Sequence, residues 1–174
     1  MELLAPAGSR QALTAAVQSG ADAVYLGGPQ FGARYSAENF TIEEMKTWVD
    51  YCHLYGVDVH VTVNTLVKEK EIESLKEYLK QLNEIGVDAL IVQDMGAVEI
   101  IKKTVPDMTL HASTQMTVTS LEGVKYLEDM GFSRVVLARE LSEKEIEHIC
   151  KNAKAEIEVF VHGAICMCYS GQCL

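Results

Sequence analysis

The 174-residue sequence predicts an α/β protein: a (β/α)8 TIM-type barrel truncated after about seven parallel strands. The main observation is a phrase that recurs along the chain, in which a glycine precedes a short, almost entirely apolar run. Such a run is typical of a strand in a parallel sheet that helices cover on both faces. The glycine is typical of a helix that ends in the left-handed conformation. The four copies are Gly20–Leu26, Gly56–Val61, Gly86–Val92 and, in degenerate form, Gly131–Leu137.

Three further apolar runs complete the predicted strands, and helical patterns separate all of them. The additional strands are Leu3–Leu4, Thr109–Ala112 and Ile157–Val161, which makes seven in total. The predicted helices are Ser9–Ser19, Thr41–Leu54, Lys68–Ile85, Met95–Lys103, Thr117–Met130 and Ser142–Asn152. Thr41 and Ser142 each stand three residues before a glutamate, the pattern of a capping box that starts a helix.

The choice between two parallel-sheet architectures favours the barrel. An open doubly wound sheet is the alternative, but no glycine-rich dinucleotide fingerprint follows the first strand. Complete barrels have about 250 residues, so we expect residues 1–174 to be the N-terminal part of a barrel domain. Without an eighth strand, the first and seventh strands have unpaired edges. The chain alone is therefore predicted to dimerise or aggregate.

Composition sets the broad class of protein. The chain is 48% hydrophobic and carries a net charge of −10, which is ordinary for a globular domain. No apolar run approaches the ~20 residues of a membrane span, and the N-terminus lacks a signal-peptide pattern. We therefore expect a cytoplasmic protein without a membrane partner. Domains that bind nucleic acid are usually basic. Because this chain is acidic, any RNA contacts are expected mostly outside it.

Polar residues follow the predicted strands, where chemistry gathers in parallel α/β folds. The candidate catalytic residues at these positions are Asn64, His111, Arg139 and His162. Together they suit a pocket for a small polar or anionic molecule, because an arginine can bind a carboxylate through two parallel hydrogen bonds. The structural alternative is that each of these residues merely caps a neighbouring helix or loop.

The five cysteines are unevenly distributed. Cys52 and Cys150 lie in amphipathic helical patterns and are predicted to be small core thiols. Cys166, Cys168 and Cys173 fall within the last nine residues. An odd number of cysteines, in a chain without an export signal, indicates metal or redox chemistry rather than a disulfide framework.

Two kinds of metal centre fit the three clustered thiols. Zinc could be bound locally by these cysteines together with His162, although Cys166-Met167-Cys168 lacks the two-residue spacer of common zinc knuckles. An iron–sulfur cluster is the other possibility, and it needs ligands from outside this chain.

The last stretch of the chain resembles the signature of peptidase family U32, the collagenase-like peptidases. From Glu158 to Cys173 the sequence reads Glu-x-Phe-x-x-Gly-small-aliphatic-Cys, then four residues, then Gly-x-Cys. The resemblance extends to Glu2–Gly8 and to the segment from Tyr25 to Phe40, so it covers the whole chain. The chain ends inside the family signature.

The resemblance implies an oxygen-independent hydroxylase with a 4Fe-4S cluster. Members of this kind hydroxylate C5 of a pyrimidine in tRNA or rRNA, with prephenate as hydroxyl donor, or hydroxylate the ubiquinone ring. It also implies that Cys166 and Cys173 are two of the four cluster ligands and that the other two lie beyond Leu174. Cys168 falls at an unspecified position of the signature and is treated as a spare thiol.

Two other functions remain open. The family name implies a peptidase, a hydrolase, but the sequence holds no His-Glu-x-x-His or Gly-x-Ser-x-Gly element. A Cys166–His162 nucleophile and base is conceivable, yet it leaves Cys173 without a role, whereas a cluster uses both cysteines. A noncatalytic or zinc-binding module is the third possibility. The isolated chain is expected to be inactive, and its longer parent an enzyme.

Overall fold

The computed structural model describes residues 1–33 and 40–172. Seven parallel strands alternate with helices along the chain, which confirms the predicted fold class, α/β of the truncated TIM-barrel type. The strands are β1 (Leu4–Pro6), β2 (Ala23–Gly27), β3 (Asp58–Val63), β4 (Ala89–Val92), β5 (Thr109–Ala112), β6 (Arg134–Val136) and β7 (Glu156–Glu158).

Six α-helices connect these strands among the described residues. They are α1 (Arg10–Gln18), α2 (Ile42–Leu54), α3 (Ile72–Glu84), α4 (Met95–Thr104), α5 (Leu121–Asp129) and α6 (Glu143–Asn152). Short 3₁₀ turns at Glu69–Glu71 and Thr114–Met116 precede α3 and α5. Both predicted capping boxes are present, from Thr41 at α2 and from Ser142 at α6.

The glycines of the repeated phrase have the predicted left-handed conformation. Gly20, Gly56, Gly86 and Gly131 have φ angles of 86°, 70°, 81° and 82°. Each follows a helix and turns the chain into the approach to the next strand, where a residue with a Cβ would be strained.

Residues 1–108 form one compact unit. In it β1 to β4 pair in order and in parallel; for example, Val24 pairs with Val59, and Val61 with Leu90. All four residues of β4 are buried, as expected for a strand covered on both faces. The loops that follow these strands are therefore anchored at one end to a paired and largely buried sheet.

Residues 109–174 form the second unit, built on β5, β6 and β7 in parallel. Arg134, only 7% exposed, bonds the Glu156 carboxylate through Nη2 at 2.5 Å and Nε at 2.9 Å. It also lies 3.7 Å from a Glu158 carboxylate oxygen. These contacts tie β7 to β6, immediately before the cysteine segment.

Some sequence-based boundaries are wrong. The last strand was expected over Ile157–Val161, but β7 ends at Glu158, and residues 159–161 are exposed. Helix α5 begins at Leu121 rather than at Thr117, because the Ser120 side chain caps its first turn. No helix in the described part of the chain is long and apolar enough to cross a membrane.

Candidate functional site

The cysteine segment, residues 162–172, follows β7 in the second unit. Cys166 is exposed and Cys168 is partly exposed, and both thiols are free. The predicted ligand Cys173 lies outside the described residues. Within residues 1–33 and 40–172, no three His, Cys, Asp or Glu side chains are grouped closely enough to hold a metal ion.

Ser170 anchors this segment and is the most buried residue in it, at 1% exposure. Its backbone N–H donates to Glu140 Oε1 at 2.8 Å, and its carbonyl oxygen accepts from Thr117 Oγ1 at 2.7 Å. Its hydroxyl accepts the Arg139 backbone N–H at 3.2 Å. Loops that follow β5 and β6 thus hold a single residue of the cysteine segment.

The surroundings of Glu140 favour the ionised form of its carboxylate. The Ser170 backbone N–H lowers the pKa of Glu140, and the nearby Arg139 charge adds to the effect. The Arg139 side chain is exposed, and its guanidinium carbon lies 5.4 Å from the centre of the Phe160 ring. That distance is within the range of a cation–π contact, which orients the guanidinium beside the start of the cysteine segment.

The remaining candidate residues have different environments. His111 lies within β5 and is 4% exposed, so its candidate role stays a prediction for a buried side chain. His162 is exposed. In the first unit, Asn64 follows β3, and its Oδ1 accepts the Ala33 N–H at 3.0 Å. This bond gives Asn64 at least one structural role, which is to hold the loop after β2.

Of the four predicted site residues, Arg139 contacts the cysteine segment through its backbone N–H, and Asn64 holds a loop of the first unit. In the second unit the anchor at Ser170 joins the Arg139 backbone to the cysteine segment. Glu140 follows β6 beside Arg139, at one of the strand ends where the sequence predicted polar site residues, whereas Thr117 and Ser170 were not identified as site residues. One signal lay beside Ser170, since Gly171 is the glycine of the Gly-x-Cys element in the family signature, but no local pattern identifies the distant partners of that serine.

The first unit has a cleft of its own beside the loop after β2. It measures about 330 Å³ and is lined by Gln30, Phe31, Thr65, Leu66, Glu71 and Ser74. Phe31 has a φ of 59°, which is rare for a bulky residue. The Phe31 carbonyl oxygen accepts a hydrogen bond from Thr65 Oγ1 at 3.2 Å, and the centre of the Phe31 ring lies 5.9 Å from that of Tyr78.

Tyr78, whose ring contacts Phe31 of this cleft, has a buried phenol. Tyr78 is 3% exposed, and its hydroxyl has no hydrogen-bond partner among the described residues. Burial raises the pKa of this phenol well above its usual value, so it stays neutral. Gly28 lies directly against the hydroxyl, where a Cβ would be only 1.8 Å from the oxygen.

The two lone cysteines differ in environment. Cys52 is fully buried, as predicted, and burial raises the pKa of its thiol to about 11. Cys150 is exposed, so its predicted core position is wrong. The preceding residue, Ile149, occupies the buried face of α6, and one residue along a helix turns the side chain by about 100°.

Comparison with known proteins gives consistent results. Residues 8–174 match the model of peptidase family U32. The chain is 45% identical to the 23S rRNA 5-hydroxycytidine C2501 synthase of Escherichia coli K12, over 99% of this chain and 26% of that protein. It is 41% identical to the tRNA hydroxylation protein P1 of Bacillus subtilis 168, over 99% of this chain and 41% of that protein.

A solved structure shares the fold. The U32 peptidase Mk0906 superposes with a TM-score of 0.72 at 21% identity, covering 91% of this chain and 68% of that one. The chain spans only about a quarter to two fifths of the length of the two curated relatives. Since the family model matches almost the whole chain, the chain belongs to peptidase family U32.

Proposed function

We propose that this chain is the N-terminal part of an oxygen-independent hydroxylase that acts on C5 of a pyrimidine in tRNA or rRNA. The observation that carries the proposal is the identity of 45% and 41% to two proteins named for RNA hydroxylation. Both alignments cover 99% of the chain, including Cys166 and the strand-end loops. The net charge of −10 fits a protein whose RNA contacts lie mostly outside this chain.

The proposed cofactor is a 4Fe-4S cluster held by Cys166 and Cys173, with two further ligands from beyond Leu174. Thiolates are the ligands that iron–sulfur clusters use, and the exposed Cys166 leaves room for a cluster to reach it. When bound, the cluster supplies one-electron chemistry. Zinc is the alternative metal for the same thiols.

The proposed hydroxyl donor is prephenate, which carries two carboxylates. Arg139 suits one of them, because its exposed guanidinium is already oriented over Phe160. A balanced exchange turns the base C5–H into C5–OH while the donor exchanges its hydroxyl for hydrogen. The donor takes up the two electrons that the base gives up. The sequence-predicted residues Asn64, His111 and His162 remain candidates for binding the donor or moving protons.

Metal analysis of the natural-length protein tests the cluster. The protein is purified anaerobically and assayed for iron, acid-labile sulfide and zinc, with Cys166→Ala and Cys173→Ala as test variants. Cys150→Ala is the matched control, since it removes an exposed thiol that belongs to α6 and not to the cysteine segment. We expect equal amounts of iron and sulfide in the wild type and the control, and loss of both in the test variants. Zinc, or no metal, would contradict the cluster.

The second candidate function is peptide hydrolysis, which the description of the matched family favours. An exposed Cys166 is accessible to a peptide, and a cysteine peptidase needs a single activated thiolate with a base. The same variants separate the two functions. Peptide cleavage that requires Cys166 but not Cys173, in protein without iron, favours the peptidase.

A further inference from the structure

Ser170 is the one buried residue within residues 162–172 of the cysteine segment, and most of the others are exposed. Ile165, Met167 and Tyr169 are 92%, 97% and 73% exposed, whereas Ser170 is 1% exposed. A segment with so few buried contacts has little to fix its own conformation. Contacts of Ser170 and its neighbour Gly171 with the loops after β5 and β6 are therefore well placed to set the conformation of this segment.

These contacts engage both the backbone and the side chain of Ser170. The bonds from Thr117 Oγ1 and to the Glu140 carboxylate fix its carbonyl and its N–H, so the peptide groups on both sides are held. The bond from the Arg139 N–H fixes its side chain. Because the donors and acceptors come from loops after two different strands, the segment cannot rotate about a single contact.

Gly171 extends the same contact by close approach. Its φ is 75°, and a Cβ there would lie 2.4 Å from the Gln115 carbonyl oxygen and 2.5 Å from Thr117 Oγ1. Only glycine allows the two backbones to come so near. Thr117 is itself in the left-handed region, with a φ of 55°, which aims its hydroxyl at the segment.

We propose that Thr117, Glu140, Ser170 and Gly171 form a latch that positions the cysteine thiolates. Cys168 precedes Ser170 by two residues, Cys166 precedes it by four, and Cys173 follows it by three. In the sequence the latch thus lies between the two cysteines that the proposed function assigns to the cluster, and it joins Ser170 and Gly171 to the loops after β5 and β6. The latch residues are positioning residues, and the inference about the cluster rests on the proposed function.

The test uses paired variants that remove or keep one hydrogen-bonding group. Glu140→Ala removes the acceptor for the Ser170 N–H, whereas Glu140→Gln keeps an amide oxygen in its place. Thr117→Ala removes the donor to the Ser170 carbonyl, and Thr117→Ser keeps the hydroxyl. The control is Glu147→Ala, which removes an exposed carboxylate of α6 that bonds Lys151 instead.

The first measurement needs no metal. Reduced, metal-free protein of natural length is treated with iodoacetamide, and alkylation of each cysteine is followed by peptide mass spectrometry. We expect Cys168 to react about 5- to 10-fold faster in both alanine variants, because protection of the partly exposed thiol ends when local opening becomes frequent. The Gln and Ser variants and the control should react at the wild-type rate. Equal rates in all variants would overturn the latch.

The second measurement uses protein loaded with its cluster. The EPR spectrum and the reduction potential should change in the two alanine variants and return to wild type in the Gln and Ser variants, since displaced thiolates alter the cluster environment. Unchanged spectra and potentials would overturn the assignment to positioning. Absence of iron from every variant refutes the cluster, and the alkylation rates then still decide whether the latch exists.

Discussion

Substitution of Gly28 by alanine should destabilise the first unit through one identifiable clash. The new Cβ would lie 1.8 Å from the Tyr78 hydroxyl oxygen, and contacts below 3.0 Å are essentially never observed. The oxygen has to retreat by about 1.2 Å inside a packed environment, where Tyr78 is 3% exposed. Overpacking of this kind costs about 1–3 kcal/mol.

The companion substitution Tyr78→Phe should suppress that cost. It removes a buried hydroxyl that has no hydrogen-bond partner among the described residues, so alone it should change stability by less than ~1 kcal/mol. In this background the nearest atoms to the new Cβ are the ring Cζ at 3.0 Å and Met45 Sδ at 3.3 Å. The two substitutions should therefore couple by about 1–2 kcal/mol.

The free energy of unfolding is measured for the wild type, the two single variants and the double variant. Urea unfolding of the 174-residue chain is followed by the fluorescence of Trp48, its one tryptophan. With a slope of about 2 kcal/mol per molar urea, a loss of about 1–3 kcal/mol in Gly28→Ala should lower the midpoint by roughly 0.5–1.5 M. The shift should be much smaller in the Tyr78→Phe background. Gly8→Ala is the control, since a Cβ there meets nothing within 4 Å. An equal loss for Gly28→Ala in both backgrounds would refute the steric reasoning.

Two further predictions concern association and pH. The isolated 174-residue chain should self-associate in sedimentation experiments, because β1 and β7 are the edge strands of the sheet that the described residues form, and exposed edges tend to pair with another chain. A stable monomer with a cooperative melt would count against this. Glu128 accepts the Ala155 and Lys154 N–H groups at 2.8 and 2.6 Å, and the Ala155 bond chiefly lowers its pKa. Because the pKa of Glu128 is lower in the folded chain than in the unfolded chain, where it is near 4.5, its ionised carboxylate stabilises the folded state above that pH. This contribution is lost as the pH falls through the pKa of the folded chain. The melting temperature should thus be lower in Glu128→Gln at pH 7, with the difference shrinking below pH 4.5; a difference independent of pH would contradict the assignment.

The regular part of the fold was predictable because it is encoded locally. A helix-ending glycine followed by an apolar run needs only about seven consecutive residues to be recognised, and Gly20, Gly56, Gly86 and Gly131 all have the predicted conformation. The capping boxes at Thr41 and Ser142 are likewise local patterns of four residues. Local chemistry therefore gave the order of strands and helices and their approximate limits.

The site was less predictable because its contacts join distant parts of the chain. Ser170 bonds Thr117 across 53 residues and Arg139 across 31, and no short pattern reports such a pair. The burial of His111 could not be predicted for a related reason. Its position near a strand end was evident from sequence, but its burial in β5 depends on packing around the strand. The end of β7 was misplaced because an apolar run resembles a strand even where it lies exposed.

The most direct test of RNA hydroxylation is nucleoside analysis of RNA from a strain that lacks this gene. Separated tRNA and rRNA are digested and analysed by mass spectrometry, with the natural-length gene restored as wild type, Cys166→Ala or Cys150→Ala. We predict loss of 5-hydroxyuridine from tRNA or of 5-hydroxycytidine from rRNA, with recovery by the wild type and Cys150→Ala but not by Cys166→Ala. Unchanged amounts of both nucleosides in the deletion strain would contradict the proposed function.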